Sequence, residues 1–224
     1  ELSWRWVEEE LPGIENRGQD PYKIEEGDRK LLLEEILPFW RGKSIEDAFL
    51  ARLPEEVKAI AVDTGIVDND SKWRCAVGEV TPDYKDILFV KGYAGIATDA
   101  EEKAAALDLS TPEGLAKADF YDAVVICARA VIHLAERYAH AAEKLAFTEK
   151  DPARKKELAA IAKNCRKVPG SPPESFWEAV QMLWFVQLAN SFFENAVSLN
   201  IGRFDQVMHP YYEADARRGR ITRN

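Results

Sequence analysis

A chain of 224 residues with 46% apolar content is long enough for one large domain or two small ones. Its 39 acidic and 30 basic residues leave a net charge of −9, which argues against the basic surface that nonspecific nucleic-acid binding needs. No apolar run reaches the roughly 18 residues of a membrane span, and the opening ELSWRWVEEE is too acidic for a signal peptide.

The first residues, 1–11, read as a short aromatic helix stopped by Pro12-Gly13, and 14–25 as a polar loop with a turn at Asp20-Pro21. Asp28 is an N-cap candidate for RKLLLEEILPFW, whose Leu31, Leu32, Ile36 and Leu37 keep helical spacing up to Pro38. Ser44 followed by Asp47 three residues on predicts a capping box for the next helix, to about Leu53. Residues 55–67 are ambiguous.

Residues 68–84, DNDSKWRCAVGEVTPDY, show no clear period. They form either a surface loop pinned by Trp73 or a loop lining a pocket. In the second case Trp73 gives an apolar wall, Arg74 an anion clamp and Glu79 a proton acceptor. Asp83 or Asp86 then starts a helix closed by small residues near Gly92 and Gly95, and 98–109 reads as a separate solvated helix.

Ser110-Thr111-Pro112-Glu113 is a strong helix start, with a capping residue, Pro at N1 and an acid in the first turn. Phe120, Val124, Cys127, Val131, Leu134 and Tyr138 follow at steps of three and four, which predicts that this face is buried. Arg129, Glu136 and Arg137 are expected in surface or helix–helix ion pairs. His133 and His140 are seven apart, whereas a metal pair on one helix prefers four, so no metal site is expected. Cys75, Cys127 and Cys165 are odd in number and widely spaced, which fits neither a disulfide framework nor zinc and suits a reducing compartment. Asp151-Pro152 opens a further helix that ends at Val168-Pro169-Gly170.

Pro172-Pro173-Glu174 starts SFWEAVQMLWFVQLANSFF, apolar almost all round and therefore a core helix. Its polar residues Glu178, Gln181, Gln187 and Asn190 need hydrogen-bond partners, supplied either by neighbouring backbone or by a site. Asn195 to Asn200 should turn the chain or start a strand. Gly202 permits a positive φ, and Arg203 and Asp205 beside it suggest a local network that fixes the corner, before a segment stopped by Pro210. Glu1 falls inside an apparent helix and ITRN follows soon after another, so the expectation is a section of a longer polypeptide.

Several of these stretches carry one resemblance. VPGSPPESFWEAV matches Val-Pro-x-x-Pro-Pro-x-x-Phe-x-Glu-Ala, and GEVTPDYKDILFVKGYAGI is similar to a Gly-His-x-x-Pro-Asp-Tyr loop with its helix. ADFYDAVVICARAVIHLAERYAHAAEKLA resembles a Phe-Tyr helix, and NIGRFDQVMHPYYEADARRGRIT completes the set. Together they resemble the glycyl radical enzymes, the pyruvate formate-lyase-like family, well over 70–224 and loosely over 1–70. The resemblance implies a mainly α chain with few strands, the helical N-terminal portion of a ten-stranded α/β-barrel enzyme. It divides the chain into an N-terminal helical segment, 1–70, and a family-like helical portion, 71–224, with the barrel incomplete.

The implied activity is carbon–heteroatom bond cleavage of the dehydratase or eliminase kind, by a thiyl radical that abstracts hydrogen. A glycyl radical decarboxylase, a formate acetyltransferase and a non-enzymatic helical module remain alternatives. No cysteine here lies in a Gly-Cys-Val-Glu-like context and no radical-glycine motif is present, so no catalytic residue is assigned. Substrate-pocket candidates are Trp73, Arg74, Glu79 and Asn200, with Gly202, Arg203 and Asp205 as a structural motif. Glu79 stands where many members have histidine, and Asn200 where many have serine. The implied cofactor is a glycyl radical installed by a separate radical-SAM iron–sulfur activase, with no cofactor or metal bound by this chain. Expected partners are that activase, the remainder of the enzyme, a small-molecule substrate and a second copy in a homodimer, in an anaerobic cytoplasm, with neither nucleic acid nor membrane.

Overall fold

A computed structural model describes residues 4–60, 79–193 and 198–222, with only the backbone of Glu79. Trp73, Arg74 and Cys75 lie outside the described residues. The chain is mainly helical, as expected, and strand is confined among the described residues to β1 (Glu79–Val80) and β2 (Ser198–Leu199). Two compact units are formed, Glu1–Glu79 with Ser191–Ser198, and Val80–Asn190 with Leu199–Asn224.

In the first unit α1 (Trp4–Glu10) is followed by a 3-10 turn at Ile14–Asn16. A longer helical run follows, made of α2 (Glu26–Leu31), a π-helical turn (Leu32–Ile36) and α3 (Leu37–Trp40). It starts before Asp28, with Glu25 as N-cap, and it passes Pro38, which is tolerated in the first turn of α3 where its missing N–H is not needed. Helices α4 (Ile45–Leu50) and α5 (Glu55–Lys58) complete this part.

The Ser44–Asp47 capping box is present. Its acid does more than cap, because Asp47 Oδ2 also accepts Trp4 Nε1 at 2.8 Å and Gly42 N at 3.0 Å, and Oδ1 accepts Arg5 Nη2 at 2.6 Å. One carboxylate therefore ties α1 to α4. Burial pushes the Asp47 carboxyl up, but hydrogen bonds from Trp4 and Ser44 and the Arg5 charge outweigh it and hold its pKa at about 2. A depressed folded-state value means that the ionised form stabilises the fold above about pH 4, and that this stabilisation is lost as pH falls toward 2. The expected contribution is about 2 kcal/mol. Urea midpoints of the parent and Asp47→Asn should converge between about pH 5 and 2, and a constant gap would remove Asp47 from the acid response.

In the second unit Asp83 caps a π-helical turn, Tyr84–Leu88, by accepting from Asp86 N at 2.9 Å. Helix α6 (Phe89–Ala105) does not close at its glycines. It breaks at Gly92, with φ 64° and ψ 173°, and resumes through the stretch expected to be a separate helix. The restart is possible because the amides freed by the break, Tyr93 N and Ala94 N, donate to the carbonyls of Pro169 and Gly170 at 2.9 Å each.

Helix α7 (Pro112–Thr148) begins as predicted, with Thr111 Oγ1 accepting from Gly114 N at 3.0 Å. Its buried face differs from the expected one. Val125, Ala128, Val131, Ala135, Ala139, Ala142 and Ala146 are buried, whereas Phe120 is 63% exposed, Tyr138 46% exposed, and Cys127 open. The reason is spacing, since α7 packs along its length on both α6 and α8, and alanine is what lets neighbouring helices lie close. The pair Arg129–Glu101, at 2.5 Å, joins α7 to α6 as an expected helix–helix ion pair. Helix α8 (Pro152–Lys167) is capped by Asp151, and the Val168–Pro169 peptide after it is cis.

Helix α9 (Phe176–Phe193) contributes to both clusters of the core. Ala179, Met182, Leu183 and Val186 pack with Tyr84, Leu88, Phe89, Val168 and Met208, while Phe185 packs with Ala135, Ala139 and Cys165. Trp177, Val180 and Trp184 remain a half-exposed stripe on the other side. Helix α10 (Phe204–Arg217) contains Pro210 rather than stopping there. The proline keeps a helical φ and gives up one i→i−4 bond, while Met208 and Tyr211 on either side hold the helix to the core.

Candidate functional site

The corner between β2 and α10 is built from the backbone. Asn200 N donates to Val80 O at 2.9 Å, which extends the β1–β2 pairing by one residue. Asn200 Oδ1 then accepts Gly202 N at 2.7 Å and closes a tight turn. Gly202 sits at φ 70° with no neighbour near its absent Cβ, so the turn itself, and not crowding, requires glycine. Arg203 pairs with Asp205 at 3.0 and 3.2 Å, and that pair raises the arginine's pKa and lowers the aspartate's. Both side chains are about 70% exposed, so within this chain the pair is a surface contact. Of the pocket candidates, Asn200 is placed on this exposed corner, Glu79 has its backbone in β1, and Trp73 and Arg74 lie outside the described residues.

Three of the polar residues of α9, Glu178, Gln187 and Asn190, make hydrogen bonds within the chain. Ser175 Oγ accepts Glu178 N at 3.2 Å. The Glu178 carboxylate accepts Glu174 N at 2.7 Å and Lys167 Nζ at 2.8 Å. Gln187 Nε2 donates to Tyr84 Oη at 3.1 Å, and Asn190 Nδ2 donates to Val186 O at 2.8 Å. Burial raises the Tyr84 phenol's pKa, partly offset by the Gln187 bond, and burial beside Tyr84 pushes Tyr93 up to about 12. Neither phenol is a ready base.

Asp215 has no local sequence signal and was missed by sequence reasoning. It is buried at the end of α10, where Oδ2 accepts Phe176 N at 2.8 Å and Oδ1 accepts Arg220 Nη1 at 3.2 Å. A residue from α10 thus caps α9. A cleft of about 980 Å³ opens here, with Lys163, Glu174, Trp177, Arg218 and Arg220 on its walls. Its acids are matched by cations, Asp215 by Arg220 and Glu174 by Lys167 at 2.7 Å, which is the chemistry of a joint and not of a reacting site. Asp215→Ala should strand Phe176 N and cost about 2–3 kcal/mol. The urea midpoint measures this, and a loss below about 0.5 kcal/mol would show that the cap does not matter.

No cluster of three or more His, Cys, Asp or Glu side chains suited to a metal occurs among the described residues. Cys127 lies exposed on α7, and Cys165 is buried in α8, where burial raises its thiol pKa. Neither sits at the β2–α10 corner, so the described cysteines do not fit a thiyl role.

The whole chain, residues 1–224, matches the pyruvate formate lyase-like family model. It belongs to that family. It is similar to isethionate sulfite-lyase from Nitratidesulfovibrio vulgaris, with 38% identity over 223 residues, covering 96% of this chain and 26% of the relative. It is also similar to (2S)-3-sulfopropanediol dehydratase from Klebsiella oxytoca, with 30% identity, covering 100% of this chain and 27% of the relative. A solved structure concerned with 1,2-propanediol dehydration in Roseburia inulinivorans superposes with a TM-score of 0.78 and 34% identity, over 100% of this chain and 26% of that one. The chain therefore spans about a quarter of the length of these relatives.

Proposed function

We propose that this chain is the helical front section of a glycyl radical lyase that cleaves a carbon–heteroatom bond. The observation that carries the reading is similarity along nearly the whole chain to relatives named as a sulfite-lyase and a dehydratase, at 38% and 30% identity. A relative named indoleacetate decarboxylase is less similar, at 27% identity, which favours elimination over decarboxylation.

The hydrogen abstraction that begins such a lyase would be supplied by a glycyl radical and a loop cysteine on the remainder of the enzyme, with the radical installed by a separate radical-SAM activase. This chain would contribute pocket residues. Asn200 has its Oδ1 committed to Gly202, so its amide NH₂ is the group left to donate to a substrate oxygen. Glu79 is assigned the proton acceptor for a departing or reorienting hydroxyl, Arg74 the clamp on an anionic substituent and Trp73 an apolar wall. The stripe of Trp177, Val180 and Trp184 on α9 is assigned to the remainder of the enzyme. No described helix is long and apolar enough to cross a membrane, and a cytoplasmic setting accompanies this reading.

Anaerobic incubation of this chain alone with an activase should give no glycyl radical doublet by EPR, whereas the complete enzyme should give one. A doublet from the chain alone would overturn the assignment.

A further inference from the structure

Glu79 has its backbone in β1, and what holds that strand lies a few residues on. Val80 O accepts Asn200 N at 2.9 Å, Pro82 O accepts Tyr84 N at 3.0 Å, and Tyr84 Oη accepts Gln187 Nε2 of α9 at 3.1 Å. In the stretch 80–84 only Tyr84 is buried, in one cluster with Leu88, Phe89, Ala179 and Met182. Packing fixes how deep its ring sits, whereas the hydrogen bond is directional and fixes where along α9 the ring points. The other strand is tied to the same place, since Ile201, next to Asn200, packs against that cluster. Gln187 is a half-buried polar group on an otherwise apolar helix. Asn190, on the same helix, satisfies its amide on Val186 O four residues back, but Gln187 reaches across to a residue 103 positions earlier in the chain. A polar group that only had to be satisfied could have done so locally.

We propose that Tyr84 and Gln187 are positioning residues for the lyase reaction, and that their hydrogen bond sets the register of β1 on α9 and with it where the chain presents Glu79. This rests on the reading of Glu79 as the proton acceptor. The tether between them is short, only the residues 80–83. A shift on the order of 1 Å at a reacting group costs up to about 100-fold in rate, so a change of register too small to unfold anything is enough to be felt.

The test uses the complete, activated enzyme, with isethionate and propane-1,2-diol as probes of turnover and hydrogen exchange of the peptide 198–202 as a probe of the strand pair. Tyr84→Phe keeps the ring and removes the bond. It should lower kcat about 10-fold or more, with KM and the glycyl radical yield by EPR little changed, and speed exchange of that peptide about 5-fold. Gln187→Met should do the same. Gln187→Glu, whose carboxylate can accept the tyrosine O–H, should retain most of the activity. In a Glu79→Gln background Tyr84→Phe should cause no further loss, because both changes act on one group. A pair that serves only the fold would instead lower the thermal midpoint and leave kcat per radical unchanged. Parent kcat in Tyr84→Phe, a Gln187→Glu variant as slow as Gln187→Met, or losses that add to that of Glu79→Gln overturn the proposal. A silent Glu79→Gln overturns the reading beneath it, and this proposal with it. An enzyme that converts neither probe counts against the lyase reading, and exchange then decides: parent exchange in both Tyr84→Phe and Gln187→Met overturns the proposal.

Discussion

Gly92→Ala is expected to destabilise the chain by about 4 kcal/mol or more, with a fall in Tm on the order of 10 °C. Two independent effects add at this position. The backbone lies at φ 64° and ψ 173°, a region that side chains with a Cβ essentially never occupy. A Cβ there would also stand 2.3 Å from the Gly170 carbonyl oxygen and 2.9 Å from its carbon. Both neighbours are backbone, and Gly170 O is already the acceptor for Ala94 N, so moving it breaks a hydrogen bond. Gly27→Ala is the control. Gly27 lies in α2 with nothing near its absent Cβ, and alanine there should be neutral or stabilising by up to about 1 kcal/mol. Thermal unfolding of the two variants decides the matter, and equal Tm values would refute the account of the α6 break.

In the complete enzyme, Glu79→Gln is expected to lower kcat about 100-fold or more while leaving the unfolding midpoint nearly unchanged. Glutamine keeps the size and the hydrogen-bonding reach of the side chain but cannot take a proton at neutral pH. The proposed role is proton acceptance, so the loss should fall on kcat and leave KM little changed. The rise of kcat with pH that a carboxylate base produces should also disappear. Unchanged turnover would remove Glu79 from the site. A loss matched by a fall in stability would make its role structural.

The features that could be read from sequence are those whose partners lie within one turn. Ser44 with Asp47, Thr111 with Pro112, Asp151 with Pro152 and the positive φ at Gly202 are all local. What escaped depends on distant chain. The break at Gly92 needs the carbonyls of Pro169 and Gly170, and the cap on α9 needs Asp215. The buried face of α7 was misassigned for the same reason. Hydrophobic spacing found the larger side chains, whereas contact with two close neighbours selected the alanines. Of the pocket candidates, Asn200 is read from sequence only as the end of a turn or strand, and its closure onto Gly202 N appears in the structure. The reach of Arg74 or Glu79 toward a substrate depends on tertiary placement that no local pattern encodes.

The clasp at the α6 break also gives the molecule an internal reporter. Tyr93 and Ala94 carry amide hydrogens whose protection comes from the turn after α8 and not from their own helix. Their exchange with deuterated solvent therefore tracks opening of that turn, whereas amides in the middle of α7 track loss of the helix itself. If the turn lifts before the helices melt, these two hydrogens will be lost first, and a local opening will be visible in a chain whose far-ultraviolet signal has not changed.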